Sequence, residues 1–322
     1  MTIPPDLQSV RVARKLLDQY LPITRMSRAA SLSRPGATVK LKIETELPTG
    51  SFKPRGALYA LATTLDSSRV EEVTASSTGN HGAAVAFAAK TLGVPATIFL
   101  PSNPNPVKRR NISALGARVV ETGAPDLAGA FTEASSYSDR PGVYFLNDAT
   151  DPLVPTGTAT IGLEIIEQEP RVSMIYVPMG DTALIRGVAA AVKQLSPQVR
   201  IIGVQAERAP SYYLSWKEGR VVTTETCDTA ADGLATRTPE LRNVRTIREL
   251  VDSVVLVSEG QIFRAIAHLY RHEGVLAEPA GAAATAAFLA NPPPAHPIAD
   301  SAVVVLVTGA NISDQVSQRV GI

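Results

Sequence analysis

The chain carries eight lysines, and seven have an ordinary explanation in the pattern around them. Lys15, Lys90, Lys193 and Lys217 fall in helix-like patterns. Lys40 and Lys42 alternate with Val39, Leu41 and Ile43 as the outer face of a strand, and Lys108 belongs to the basic run Lys108-Arg109-Arg110. Lys53 differs: it is lodged between Phe52 and Pro54 in the turn-rich stretch Thr49-Gly50-Ser51-Phe52-Lys53-Pro54-Arg55-Gly56. An amine packed against apolar neighbours loses hydration that favours the ammonium form. Its pKa falls, and it becomes available as a nucleophile for imine chemistry. Taken alone, Lys53 also fits a loop lysine with a solvated tip.

Two further stretches narrow the choice. Ser76-Ser77-Thr78-Gly79-Asn80-His81-Gly82 follows one strand signal, Pro178-Met179-Gly180-Asp181-Thr182-Ala183-Leu184-Ile185-Arg186-Gly187 follows another, and each precedes a helix-like run. Where a strand turns into a helix, free backbone N–H groups and the positive helix end favour an anion. Small polar residues and glycine are also what plain turns use, so neither loop alone demands a ligand. The set is completed by Glu278-Pro279-Ala280-Gly281-Ala282 and Thr308-Gly309-Ala310-Asn311. In order and spacing these motifs make the chain resemble the fold-type II pyridoxal-phosphate enzymes of the threonine/serine dehydratase and serine racemase family, over nearly its whole length.

That resemblance implies an α/β fold of two open, twisted, mostly parallel sheet domains, like the β subunit of tryptophan synthase. Residues 1–71 and 149–322 would form the large cofactor-binding domain, and 72–148 the small substrate-loop domain. Lys53 would form the Schiff base with pyridoxal 5'-phosphate and, once displaced by substrate, take the Cα proton. Gly180, Asp181, Thr182, Ala183 and Leu184 would seat the phosphate. Ser77, Thr78, Gly79, Asn80 and His81 would bind the substrate carboxylate, with Asn80 on the cofactor's phenolic oxygen and His81 as a structural hydrogen-bonder. Phe52 would pack on the ring, and Thr308 would meet the pyridine nitrogen. A neutral hydroxyl does not hold that nitrogen protonated as a carboxylate would, which makes a weaker electron sink suited to elimination or racemisation rather than transamination. Thr78 stands where serine racemases carry the serine that moves a proton on the face opposite the lysine.

Two features are less regular. The family's phosphate loop is usually a glycine run, whereas Asp181, Thr182 and Ala183 fill three positions here. A carboxylate about 4 Å from a phosphate costs about 4 kcal/mol per charge pair at an effective dielectric near ~20. Asp181 is therefore expected to turn away, towards Arg186. Some members of the family bind a structural divalent cation near an Ala-Asp-Gly segment. Ala231-Asp232-Gly233, with Glu225 and Asp228 upstream, offers candidate ligands. His268 and His272, four apart on a predicted helix, lack a third ligand and read as an exposed helix face.

Composition excludes several classes. Lys+Arg 31 against Asp+Glu 30 leaves no basic excess for nucleic acid or a membrane surface. The lone cysteine, Cys227, suits a reducing cytoplasm and allows no internal disulfide. The N-terminus, with Pro4 and Pro5, lacks the apolar core of a signal peptide, and no apolar run reaches the length of a membrane span.

The elements that must position these residues follow from periodicity. Residues 7–20 carry Val10, Val12, Leu16 and Leu17 at near-helical spacing, 39–44 alternates as a strand, and 55–65 is a helix rich in Ala and Leu. From 71 onward strand and helix alternate: strands 71–75, 96–100, 118–121 and 143–146, with helices 83–92, ending at Gly93, and 107–115 among them. Residues 147–155 read as a linker. Helix 157–167, strand 174–177, helix 184–195, strand 200–205 and helix 210–219 follow, then an irregular stretch 221–243 and strand 253–257. Ser258 and Gln261 form a capping box for the next helix, and helix 281–289, strand 302–307 and a short helix close the chain. Such alternation signals parallel, doubly wound sheets.

The reading is an ammonia-lyase acting on a small β-hydroxy amino acid such as threonine or serine, working as a homodimer in the cytoplasm. The alternatives are an amino-acid racemase, a β-replacement synthase, and a cofactor-binding regulator that has lost catalysis, the last disfavoured by the retained Lys53. The chain ends soon after Asn311, without a C-terminal regulatory domain. Hyperbolic kinetics without feedback by isoleucine or valine are therefore expected, and sigmoidal kinetics relieved by valine would contradict that expectation.

Overall fold

Ala302, Val303, Val304, Val305, Leu306 and Val307 offer no polar side chain on either face, so they suit only a central strand covered on both sides. The computed structural model describes residues 4–34, 37–104, 106–293 and 301–322, apart from the side chains of 106–108. The side chain of Lys108 thus lies outside the described residues.

In chain order the elements are α1 (Leu7–Leu17), β1 (Met26–Arg28), β2 (Thr38–Ile43), α2 (Lys53–Ser67), β3 (Glu72–Ser76), α3 (Asn80–Leu92), β4 (Ala96–Leu100), α4 (Pro106–Ala114), β5 (Arg118–Glu121), α5 (Leu127–Tyr137) and β6 (Val143–Phe145). There follow α6 (Val154–Gln168), β7 (Val172–Pro178), α7 (Ala183–Leu195), β8 (Arg200–Ala206), α8 (Ser211–Glu218), α9 (Leu241–Leu250), β9 (Ser253–Val257), α10 (Glu259–Glu273), α11 (Pro279–Ala290), β10 (Ala302–Val307) and α12 (Asp314–Val320). One sheet has the order β1-β2-β10-β7-β8-β9 and the other β5-β4-β3-β6. Every pairing is parallel except β1 with β2. This is the expected α/β class with two mostly parallel sheets.

Local signals explain several boundaries. Ser258 and Gln261 form both halves of the capping box that starts α10, and α3 ends at Gly93 with a left-handed φ of 73°. Helix α2 begins at Lys53, two residues earlier than expected. Pro54 is tolerated in that first turn because its missing N–H would have had no partner there. Helix α9 was not foreseen: its buried Val244 and Ile247 recur at helical spacing but are diluted by charged residues. The three residues of β1 are too few to show a period. Helices α2 and α6 cross closely at a glycine pair, where a Cβ on Gly157 would lie 2.8 Å from the Gly56 Cα. Among the described residues no helix is long and apolar enough to cross a membrane.

The polar face of β2 is the main correction. It was expected to face solvent, yet Lys42 is fully buried, and Lys40 pairs with Glu169 at 2.6 Å. Helix α6 covers this face and supplies Glu164 and Gln168. The Lys42 Nζ pairs with Glu164 and donates to Gln168 at 2.9 Å and to the Thr24 carbonyl at 2.8 Å. Buried Arg55 lies between two buried carboxylates, donating to Glu44 through Nε at 2.8 Å and to Glu164 through Nη1 at 2.7 Å. Burial opposes both charges of the Lys42–Glu164 pair. For Lys42 it prevails over Glu164 and Glu44, and the pKa is lowered. For Glu164 the nearby Arg55 and Lys42 prevail, and the carboxyl is held below its usual range.

Glu164→Gln should therefore leave Lys42 and Arg55 with one carboxylate between them and cost roughly 3–5 kcal/mol of unfolding free energy, read by urea denaturation. The sign of the acid dependence follows from the depressed pKa. The stability due to Glu164 is present above the unfolded carboxyl pKa of about 4.3 and is lost as pH falls through the lower folded value. The variant should lack that part of the acid destabilisation.

Candidate active site

In parallel sheets ligands gather outside the carboxyl ends of the strands, and the sequence motifs converge there, four of them directly joined by hydrogen bonds. The chain leaves β10 into Thr308, whose carbonyl accepts from the Phe52 N–H at 3.1 Å. Ser51 bridges Gly309, the Ala310 N–H donates to the Gly50 carbonyl at 2.9 Å, and the Glu278 N–H donates to the Gly309 carbonyl at 2.9 Å. Gly50 takes a φ of 68°, a left-handed turn that brings it against the Asn311 side chain. Asn311 Nδ2 donates to the Thr49 carbonyl at 2.9 Å and to Asn80 Oδ1 at 2.6 Å, and Asn80 Nδ2 donates to Glu278 Oε1 at 2.6 Å. One chain of hydrogen bonds thus joins the Lys53 loop, the start of α3, the start of α11 and the loop after β10.

Lys53 opens α2 with its Nζ ion-paired to Asp148 and 5.3 Å from the centroid of the Phe52 ring. The expected lowering of its pKa is not found. Burial, the largest effect, does disfavour the ammonium, but Asp148, Asp181 and Glu278 outweigh it, and the pKa is raised. Asp148 was missed within a stretch read as linker, although a carboxylate just past the carboxyl end of a parallel strand is a recognisable signal. His81 Nδ1 lies 3.7 Å from Asp148, and its Nε2 bonds the Leu146 carbonyl at 2.8 Å, the structural role expected of it. Burial works to raise the Asp148 pKa, yet His81 and Lys53 together hold it well below the carboxylate range. On the neighbouring loop Ser77 Oγ accepts from the Gly79 N–H at 3.2 Å. A Cβ on Gly79 would meet nothing within 4 Å, so open space lies beside Gly79.

The turn between β7 and α7 has features that suit an anion. The first α7 backbone bond runs from the Arg186 N–H to the Thr182 carbonyl at 2.9 Å. The N–H groups of Ala183, Leu184 and Ile185 are left in a buried setting without an acceptor among the described residues. Buried donors at a helix start suit a phosphate. Thr182 takes a φ of 72°, unusual for a β-branched residue, and its hydroxyl accepts from Arg186 Nε at 3.1 Å while keeping its own hydrogen free to donate. Arg186 also donates to the Ala149 carbonyl at 3.4 Å. Burial lowers its pKa to about 10, so it remains a cation beside the loop at neutral pH. Asp181 does not turn to Arg186 as expected; its Oδ1 accepts from the Thr236 hydroxyl at 3.0 Å. Burial, then Asp148, raise its carboxyl pKa, and Lys53 offsets this only in part.

Other candidates are not assembled. Glu225, Asp228 and Asp232 are exposed, Asp228 is ion-paired with Arg208, and among the described residues no group of three His, Cys, Asp or Glu could hold a metal. His268 and His272 lie with ring centroids 4.7 Å apart and planes tilted by 43°, and His268 bonds Ser31 at 2.7 Å.

The family described as pyridoxal-phosphate dependent enzyme matches residues 17–309. The chain is 35% identical over 315 residues to the L-threonine ammonia-lyase of Thermotoga maritima, covering 98% of this chain and 77% of that protein. It is 33% identical over 321 residues to the catabolic L-threonine dehydratase of Escherichia coli K12, covering 99% and 97%. With the L-threonine ammonia-lyase of Geobacter sulfurreducens it shares 40% identity over 254 residues, 79% of this chain but only 63% of that relative's length. Among solved structures, maize serine racemase superposes with a TM-score of 0.89 at 28% identity, covering 98% and 97% of the two chains. The T.th. threonine deaminase gives 0.86 at 33%, covering 96% and 99%. Family match, relatives and site geometry agree, and the chain belongs to the fold-type II pyridoxal-phosphate-dependent enzymes, among the threonine/serine dehydratases and serine racemases.

Proposed function

We propose that this enzyme converts a small β-hydroxy amino acid (threonine, serine or a 3-hydroxy analogue) to a 2-keto acid and ammonia by β-elimination. The observation that carries the reading is the hydrogen-bonded junction of four motif loops around Lys53, supported by relatives named for threonine ammonia-lyase and dehydratase activity. The residues suit the cofactor: an amine for its aldehyde, buried N–H donors for its phosphate, and a neutral hydroxyl at Thr308 for its ring nitrogen.

When bound, pyridoxal phosphate supplies a conjugated ring that draws electrons from the substrate Cα. The protein supplies position and proton movement. The loop 77–81 holds the substrate carboxylate, and Asn80, fixed between Glu278 and Asn311, is set to orient the phenolic oxygen. The Lys53 amine removes the Cα proton; the β-hydroxyl leaves with a proton as water, and the released enamine hydrolyses to the keto acid and ammonia. Asp148 holds Lys53 as an ammonium in the cofactor-free chain, so the amine must shed a proton before it can act as a nucleophile. We further read residues 1–71 with 149–322 as the cofactor domain and 72–148 as the substrate domain, in a cytoplasmic homodimer.

Lys53→Ala should abolish imine absorbance and lower turnover by several orders of magnitude, since nucleophile and base are lost together; near-normal keto-acid release by this variant would sink the assignment. Because the ammonium is favoured, cofactor capture by the cofactor-free enzyme should quicken about tenfold per pH unit until Lys53 titrates. Asp148→Asn removes the leading charge that favours the ammonium and should speed capture at neutral pH, followed by stopped-flow absorbance.

A racemase side activity rests on Thr78, which keeps a hydroxyl but has a stiffer side chain than serine. Thr78→Ala should remove racemisation while sparing most elimination, measured as the enantiomer ratio of recovered serine beside pyruvate formed. Faster racemisation than elimination in the wild type would favour the racemase reading, and equal loss of both would mean that Thr78 positions the substrate.

A further inference from the structure

Asp181 is a carboxylate at the mouth of a loop whose backbone donors suit an anion. Among the described residues it forms hydrogen bonds but no ion pair, and Lys53 and His81 act on it only at longer range. The Thr236 hydroxyl donates to Oδ1 at 3.0 Å, and Asn243 Nδ2 donates to the Asp181 backbone carbonyl at 3.3 Å. Arg186, one turn into α7, hydrogen-bonds the Thr182 hydroxyl and the Ala149 carbonyl and reaches Asp181 only through its field. Lys53, on α2, is held by Asp148 from the loop after β6. His81, on α3, lies beside that same Asp148. Tyr212, on α8, faces Asp181 as a neutral phenol and shares Asn243 with it. Glu278, before α11, adds negative charge around Lys53.

A doubly charged phosphate seated on the Ala183, Leu184 and Ile185 N–H groups would arrive in a site already holding Asp148 and Asp181. Asp148 keeps its charge because Lys53 and His81 hold it. Asp181 makes no ion pair among the described residues, and the weaker pull of Lys53 and His81 does not offset its burial; a proton on Oδ2 would remove the repulsion and add an O–H donor, while Oδ1 still accepts from Thr236.

We propose that Asp181 takes up a proton when the cofactor phosphate occupies the loop before α7, so that phosphate binding in this enzyme is coupled to protonation and weakens as pH rises. The inference rests on the reading that loop 180–184 seats the phosphate. Burial and Asp148 already raise the Asp181 pKa in the free chain, the direction this coupling requires.

The test compares pyridoxal phosphate with pyridoxal on the full chain freed of cofactor, from pH 7 to 9.5. The phosphate is dianionic over this range, its second pKa being about 6. Lys53 chemistry is common to both ligands and cancels in the affinity ratio. The wild-type preference for the phosphorylated ligand should fall with pH, approaching tenfold per unit above the Asp181 titration. Calorimetry in buffers of different ionisation enthalpy should show up to one proton taken up with the phosphate. Asp181→Asn, which keeps the Thr236 bond, should flatten the ratio, remove that uptake and prefer the phosphorylated ligand at least ~tenfold more strongly than wild type at pH 9. Equal pH slopes in the two proteins, or a weaker preference in Asp181→Asn, would overturn the proposal. Ala183→Asp separates the two levels. If it abolishes the preference while Asp181→Asn leaves the slope unchanged, only the protonation idea fails. If it leaves the preference intact, the seating of the phosphate fails and this proposal with it.

Discussion

Arg55 lies between Glu44 and Glu164, and much of the site depends on that contact. It stands two residues after Lys53, so whatever fixes Arg55 fixes the first turn of the helix that presents the amine. Glu44 directly follows β2, Glu164 comes from the C-terminal half of α6, and Lys42 and Thr24 bind the Glu164 carboxylate. Removing one carboxylate would strand a buried cation, so these groups hold their arrangement as a unit. The glycine pair of α2 and α6 lets the backbones approach closely enough for the charges to meet. A lysine on a loose turn would sample many positions; one on a helix riveted at its third and fourth residues, Arg55 and Gly56, does not.

The charge balance above that base shapes the chemistry. Asp148, Asp181 and Glu278 all act on one lysine, so the cofactor-free enzyme stores Lys53 as an ammonium. Apolar neighbours alone would have lowered its pKa, and the sequence contains those neighbours in Phe52 and Pro54. The deciding carboxylates lie about a hundred or more residues away and become visible only when the strand ends are brought together. On the proposed reading Lys53 would have two regimes, an ammonium paired with Asp148 and an amine bound to the cofactor, with Asp148 as the group that separates them.

The same distinction explains what was legible beforehand. The alternating strand–helix pattern, the capping box at Ser258 and the C-cap at Gly93 are local, and each holds in the structure. The residues of each motif are also local information, and together with their order they led to the family. The environment of a polar face was not legible. Alternation correctly put Lys40 and Lys42 on one side of β2, but which helix covers that side is a question of topology. Helix α9 was hidden because Arg242, Arg245 and Arg248 interrupt its apolar residues, and Asp148 because its place after a strand end carries weight only once that strand is known to be parallel and its end to face Lys53.

Thr182 and its neighbours show what a glycine-rich loop requires and what it merely permits. Gly180 has no freedom, because a Cβ there would strike the Gly233 carbonyl whether or not a ligand is bound. At the next three positions side chains are present and the backbone keeps its course. Thr182 accepts a left-handed φ at a cost of about 1–2 kcal/mol, and Arg186 engages its hydroxyl. The donors that face an anion are the main-chain N–H groups of Ala183, Leu184 and Ile185, and these do not depend on side-chain identity. Replacing glycines here therefore leaves the hydrogen-bonding geometry of the loop and changes its charge. That moves the question of phosphate binding from shape to electrostatics, where Asp181 and Arg186 are the residues that set the answer.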